Sequence, residues 1–161
     1  MGVIMQAQTS RRPTLVLVLL TVVLLFTAIG GVYGGYHLLR DPSGGVLGMS
    51  LNYLDTTPFS DYTLPAFVLM FGYGFGSLVV IYGLWFRVPL PLVNTLEHMT
   101  HEHWSWDLTL ALGVALILWL TYQVVMIPAF APIQFVMYGV AILLIGLPLL
   151  DPMREYYHEQ A

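Results

Sequence analysis

The sequence predicts an all-α fold: a four-transmembrane-helix bundle with both termini cytoplasmic. An extracytoplasmic loop joins helices 1 and 2, and an interfacial amphipathic helix joins helices 2 and 3. Three observations predict it. Of 161 residues, 58% are hydrophobic and only 9% are charged, against about 25% charged in a soluble domain. The apolar residues gather into four runs, each near the roughly 20 residues that cross about 30 Å of hydrocarbon. No Asp, Glu, Lys or Arg interrupts the middle of the second, third or fourth run. In lipid the backbone must satisfy its own hydrogen bonds, so such runs are helices. Residues 1–161 read as a single integral membrane domain, with spans near 13–36, 64–86, 106–127 and 132–150.

The first span follows a short polar lead and Arg11-Arg12. A signal peptide opens the same way, but its apolar core is about 7–15 residues and this run is longer. It is therefore expected to stay as a helix. Its outer half carries Gly30, Gly31, Gly34 and Gly35, in pairs four apart. Small residues at that spacing let another backbone come close, the usual packing device where lipid gives helices no hydrophobic drive to associate. The second span repeats the spacing with Gly72 and Gly76, so these glycine faces are expected to meet. A hinge or a pore lining is the less common use of such glycines.

Pro89 and Pro91 end the second span. Leu92, Val93, Leu96 and Met99 then share one helical face, as in a helix lying on the membrane surface. Trp104 and Trp106 are placed at the interface before the third span. The third and fourth spans are joined by a tight connection containing Pro128 and Pro132. With four spans, Arg11, Arg12, Arg87 and Arg154 share one side and Arg40 alone lies on the other. The positive-inside rule makes the four-arginine side cytoplasmic. A multi-pass protein of the cytoplasmic membrane of a prokaryote is expected.

The hydrophilic stretch Arg40 to Tyr62 lies between the first two spans and holds Asp41, Asp55 and Asp61. Asp41-Pro42-Ser43-Gly44 has turn chemistry: Asp bonds nearby backbone, Pro presets φ and Gly closes the turn. Leu47, Leu51 and Leu54 have the spacing of a short membrane-lying helix. Ser60, Asp61 or Thr63 can cap the second span, and Pro65 suits its first turn. An outer-face cluster of Asp41, Asp61, Tyr62, Trp119 and Gln123 is the candidate binding site. The plainer reading makes the Asp residues turn and cap groups, and Gln123 an interhelical hydrogen-bonding residue.

Composition closes off several functions. There is no basic patch for nucleic acid and no Cys for thiol chemistry. Proton relays and ion-coupled carriers usually need ionisable groups inside the membrane, and these spans lack them. His98, His101 and His103 are weak metal candidates without the H-E-x-x-H spacing of a metalloprotease. No catalytic residue and no cofactor is predicted. The expected function is that of a non-catalytic accessory or scaffold subunit of a membrane assembly, or a homo-oligomer. Its partners would be membrane lipids and either another membrane protein or a second copy. The alternative is a binder or small carrier of a lipid or quinone, held in an outward-facing pocket. A membrane enzyme or metal protein using the loop Asp residues or the His group ranks third.

Several stretches together resemble one family. They are Asp41-Pro42-Ser43-Gly44-Gly45, Leu47-Gly48-Met49, Thr57-Pro58-Phe59-Ser60-Asp61-Tyr62, Leu64-Pro65 and Gly76-Ser77-Leu78. Trp119 with Gln123, and Ile133-Gln134-Phe135 with Tyr138-Gly139, complete the pattern. The chain from Gly30 to Leu150 resembles small four-helix bacterial integral membrane proteins of unknown function. Ala66 departs from the Gly more usual there, and the His-rich connection is longer. The resemblance implies the four-span fold and supplies no catalytic residue.

Overall fold

A computed structural model describes residues 15–86, 103–127 and 131–150. Among them every regular element is helical. Three helices are long and apolar enough to cross a membrane, and a fourth apolar helix is shorter. We label them α1 (Leu15–Arg40), α2 (Thr63–Phe86), α3 (Trp104–Met126) and α4 (Pro132–Gly146).

α1 has 26 residues, about 39 Å of helix. It runs past the predicted end at Tyr36 because Leu38 is buried beneath the loop. It stops at Arg40 because Asp41 precedes Pro42, which disfavours the helical conformation at Asp41. α4 has 15 residues, about 22 Å, so the predicted 132–150 span is helical only to Gly146. Hydrogen-bonded turns continue it, with Leu149 N–H donating to the Gly146 carbonyl and Leu150 N–H to that of Leu147.

α1 lies along α2, and α3 along α4. The second half of α2 meets α3, and α1 touches α4, which closes the ring. One core unites all four helices: Leu17, Leu20 and Leu24 from α1 meet Val80 and Leu84, Leu116 and Leu120, and Ala141 and Leu144. Leu17, Leu24, Gly31 and Leu38, all buried, recur every seven residues along α1, the repeat of a left-handed helix pair. Two of the polar side chains inside are tied back to their own helices. Thr27 and Thr109 each donate to the carbonyl four residues earlier, at 2.9 and 2.7 Å, which removes the cost of a bare hydroxyl in an apolar medium. The buried Ser77 hydroxyl has no partner among the described residues.

Close approach at glycine fixes the packing. A Cβ on Gly31 would stand 2.6 Å from both the Gly74 nitrogen and the Leu69 oxygen. One on Gly35 would stand 2.6 Å from the Met70 Cβ and 2.9 Å from the Ala66 oxygen. Gly83 receives the Trp104 ring, and Gly113 leaves 2.7 Å to Ile145. The expected pairing of glycine faces needs correction in three respects. No atom lies within 4 Å of a Cβ on Gly30 or Gly72, and Gly34 and Gly76 meet neighbours only at ordinary distance. The residue of α2 that meets α1 is Gly74. The cause is a π-helical stretch, Val68–Phe75, where bonds reach five residues, as from Gly76 N–H to the Phe71 carbonyl. Residues five apart, such as Leu69 and Gly74, then stack in place of residues four apart.

Trp104 and Trp106 are also corrected. Both are buried at the start of α3 rather than lying in an interfacial belt. Trp104 fills the space left by Gly83, and the Trp106 indole N–H donates to the Pro148 carbonyl at 3.0 Å. The predicted surface helix after Pro91, and the turn at Pro128, lie outside the described residues.

Candidate functional site at the loop end of the bundle

The stretch between α1 and α2 folds on itself through its polar side chains. The Asp41 carboxylate accepts from the Ser43 hydroxyl at 2.6 Å, the Ser43 N–H at 3.2 Å and the Val46 N–H at 3.0 Å. These bonds, led by the Ser43 hydroxyl and the Val46 N–H, hold its carboxyl below the ordinary value. Gly44 closes the turn with φ +80° and its N–H on the Asp41 carbonyl. Two short 3₁₀ turns follow, Gly45–Leu47 and Leu51–Leu54. The expected single helix through Leu47, Leu51 and Leu54 does not form. Gly48, at φ +68°, breaks it, and only Leu54 of the three is buried.

Tyr62 is the post around which this loop closes. Its ring is buried with Leu38, Leu54 and Ala66, and a Cβ on Gly44 would stand 2.9 Å from that ring. Its hydroxyl donates to the Ser50 carbonyl at 2.8 Å, and its N–H to the Pro42 carbonyl at 3.0 Å. Burial pushes its phenol up. Asp61 accepts the Thr63 N–H at 2.9 Å just ahead of α2, whose N-cap is Tyr62.

The loop also reaches across to α3. The Thr56 hydroxyl donates to the Met126 carbonyl. The Phe59 ring lies edge-on to Tyr122 at 6.1 Å, and Tyr122 stacks on Trp119 at 6.2 Å. Nothing in the loop sequence singled out Thr56 or Phe59 as the bridge, because the contact depends on which helix ends up opposite.

The five residues of the predicted cluster therefore have different surroundings. Asp41 and Tyr62 are engaged inside the loop, and Trp119 belongs to the aromatic bridge. Gln123 is half-buried on the same helix as Trp119. Asp61 alone borders an open cleft of about 320 Å³, lined with Phe59, Ser60, Thr63, Leu64 and Phe67. His37, not singled out by sequence, lies at the same end of α1. Its ring meets Tyr33 edge-on at 4.5 Å and Tyr36 at 5.4 Å, and its Nδ1 is buried without a partner among the described residues.

At the other end, His103 caps α3. Its Nδ1 lies 2.8 Å from the Ser105 hydroxyl and accepts the Ser105 N–H at 3.4 Å. His98 and His101 lie outside the described residues, and no group of metal-ligating side chains forms among those described.

These features define a class: a helical protein with three helices long and apolar enough to cross a membrane, an apolar interior and a folded loop at one end. Compared with protein-family models, curated proteins and solved structures, the chain matches none.

Proposed function

We propose that the protein is a non-catalytic multi-pass membrane protein that serves as an accessory or scaffold subunit of a larger membrane assembly, or assembles with itself. The observation that carries this reading is the placement of glycines not used inside the bundle. Gly30, Gly72, Gly139 and Gly146 all face outward with no atom within 4 Å of an added Cβ. On α4, Gly139 and Gly146 lie seven apart, alternating with the exposed Phe135 and Ile142. The gaps at the two glycines admit the side chains of a second helix, and in lipid such close packing is a main source of association. The interior supports the same reading, since its buried polar residues are uncharged and the core that unites the helices is largely aliphatic.

The test is assembly in mild detergent. The native chain should run as a complex, and Gly139→Leu with Gly146→Leu should release it while thermal stability holds. A lone monomer from gentle extraction, with no co-purifying subunit, would refute the reading. By arginine placement the termini face the cytoplasm of a prokaryotic cell and the Arg40–Tyr62 loop faces outward.

The cleft beside Asp61 favours a second reading, a binder of a lipophilic molecule such as a lipid or quinone. Native mass spectrometry tests it: retention of neither lipid nor quinone would sink it.

A further inference from the structure

The cleft at the start of α2 has a polar rim and an apolar floor. Ser60, Asp61 and Thr63 form the rim, and Phe59, Leu64 and Phe67 the floor. One Asp61 oxygen is spent on the Thr63 N–H. The other oxygen, and the hydroxyls of Ser60 and Thr63, make no hydrogen bond among the described residues. The floor does not stop at the cleft. Phe67 stacks on Phe71 at 5.7 Å, and Phe71 meets Phe75 at 5.6 Å. These rings are about half exposed and form a rail on the outside of α2, in two ring-to-ring steps of 5.7 and 5.6 Å.

A carboxylate oxygen and two hydroxyls at the head of an aromatic rail suit an amphiphile with a cationic hydrogen-bond donor, a phosphate and a long apolar tail. We propose that this cleft binds a phospholipid with a primary-amine headgroup, such as phosphatidylethanolamine. The ammonium donates to the second Asp61 oxygen, a charge-assisted bond, beside the faces of Phe59 and Phe67, which also attract a cation. The Ser60 and Thr63 hydroxyls donate to the phosphate. One acyl chain lies along Phe67, Phe71 and Phe75. A headgroup with a trimethylated nitrogen has no N–H to give Asp61. One with a net negative charge is repelled by it. The site therefore selects by headgroup, independently of whether the protein assembles with others.

The experiment is native mass spectrometry of the full-length protein in neutral detergent. Phosphatidylethanolamine, phosphatidylcholine and phosphatidylglycerol with identical acyl chains are added in equal amounts. The native chain should retain the ethanolamine lipid several-fold over the other two. Asp61→Asn keeps an oxygen for the Thr63 N–H, and it should reduce that preference to about equal retention. Phe71→Ala should lower retention of all three lipids. Asp55→Asn, on an exposed loop residue away from the cleft, should change nothing. Equal retention of ethanolamine and choline lipids by the native chain overturns the proposal without reference to any variant. So does a preference that survives Asp61→Asn, or one that Asp55→Asn removes equally.

Discussion

Gly30 and Gly31 are neighbours of the same type, yet the structure gives them opposite consequences on substitution. In Gly31→Ala the new methyl would stand 2.6 Å from the Gly74 nitrogen and the Leu69 oxygen and 2.9 Å from the Gly74 Cα. All three are backbone atoms, so no side chain can turn aside. Carbon contacts are comfortable near 3.5 Å, so α1 and α2 must part by about 0.9 Å. Overpacking of this kind costs about 1–3 kcal/mol, and it falls on the most extensive helix contact in the bundle. In Gly30→Ala the methyl meets nothing within 4 Å. Replacing Gly by Ala inside a helix gains up to about 1 kcal/mol. Reversible unfolding of both variants in a fixed detergent mixture measures the difference. Gly31→Ala should lose about 1–3 kcal/mol while Gly30→Ala is neutral or gains. Equal losses at the two positions, or a neutral Gly31→Ala, would show that the helices do not meet this closely.

Three further outcomes are expected. Tyr62→Phe leaves the Ser50 carbonyl without its donor and should weaken the loop by about 0.5–1.5 kcal/mol, seen as faster proteolysis between Arg40 and Tyr62; an unchanged rate contradicts the role given to Tyr62. Asp41 has a lowered carboxyl in the folded loop, so its contribution is present above the ordinary value of 3.8 and fades as pH falls through the folded value below it. Protection of the Ser43 and Val46 amides against hydrogen exchange, taken relative to the intrinsic rate at each pH, should fall in that acid window, and Asp41→Asn should remove this pH dependence of the protection. The chain has no cysteine, so Asn52→Cys, at an exposed loop position, provides a unique label. A membrane-impermeant maleimide should reach it in intact cells, and labelling only after permeabilisation would reverse the assigned orientation.

How much of this was readable in the sequence depended on whether the signal was local. The long apolar runs and the Asp41-Pro42 turn are properties of consecutive residues, and both formed where expected. The Asp61 bond to the first N–H of α2 is local in the same way, although the N-cap itself is Tyr62 rather than Ser60, Asp61 or Thr63. Which side of each helix faces inward was not legible from hydropathy. α1 carries leucine and valine on every side, so glycine spacing was the one guide. That guide assumes α-helical turns and failed in α2, where the π-helical stretch places Gly74 rather than Gly72 against α1. The fate of Trp104 and Trp106 was hidden for another reason. A tryptophan near a span end reads as interfacial until one knows that Gly83 leaves a ring-sized gap and that the Pro148 carbonyl accepts the Trp106 indole N–H. Tyr62 and Asp41 were noticed as outer polar groups, but their partners, Ser50 and Val46, depend on how the loop closes.

The wide-turn stretch of α2 has a mechanical consequence. Both ends of that helix are pinned: the outer one by Tyr62 to Pro42, the inner one by the Trp85 indole N–H on the Thr21 hydroxyl at 2.9 Å. Between these moorings, Val68–Phe75 is the part whose rungs are already off the ordinary ladder. That stretch is also where α2 sits closest to α1. Rewinding it by one residue would carry Gly74 off Gly31 and bring a side chain against the α1 backbone, so the pitch of α2 and its seat on α1 are set together.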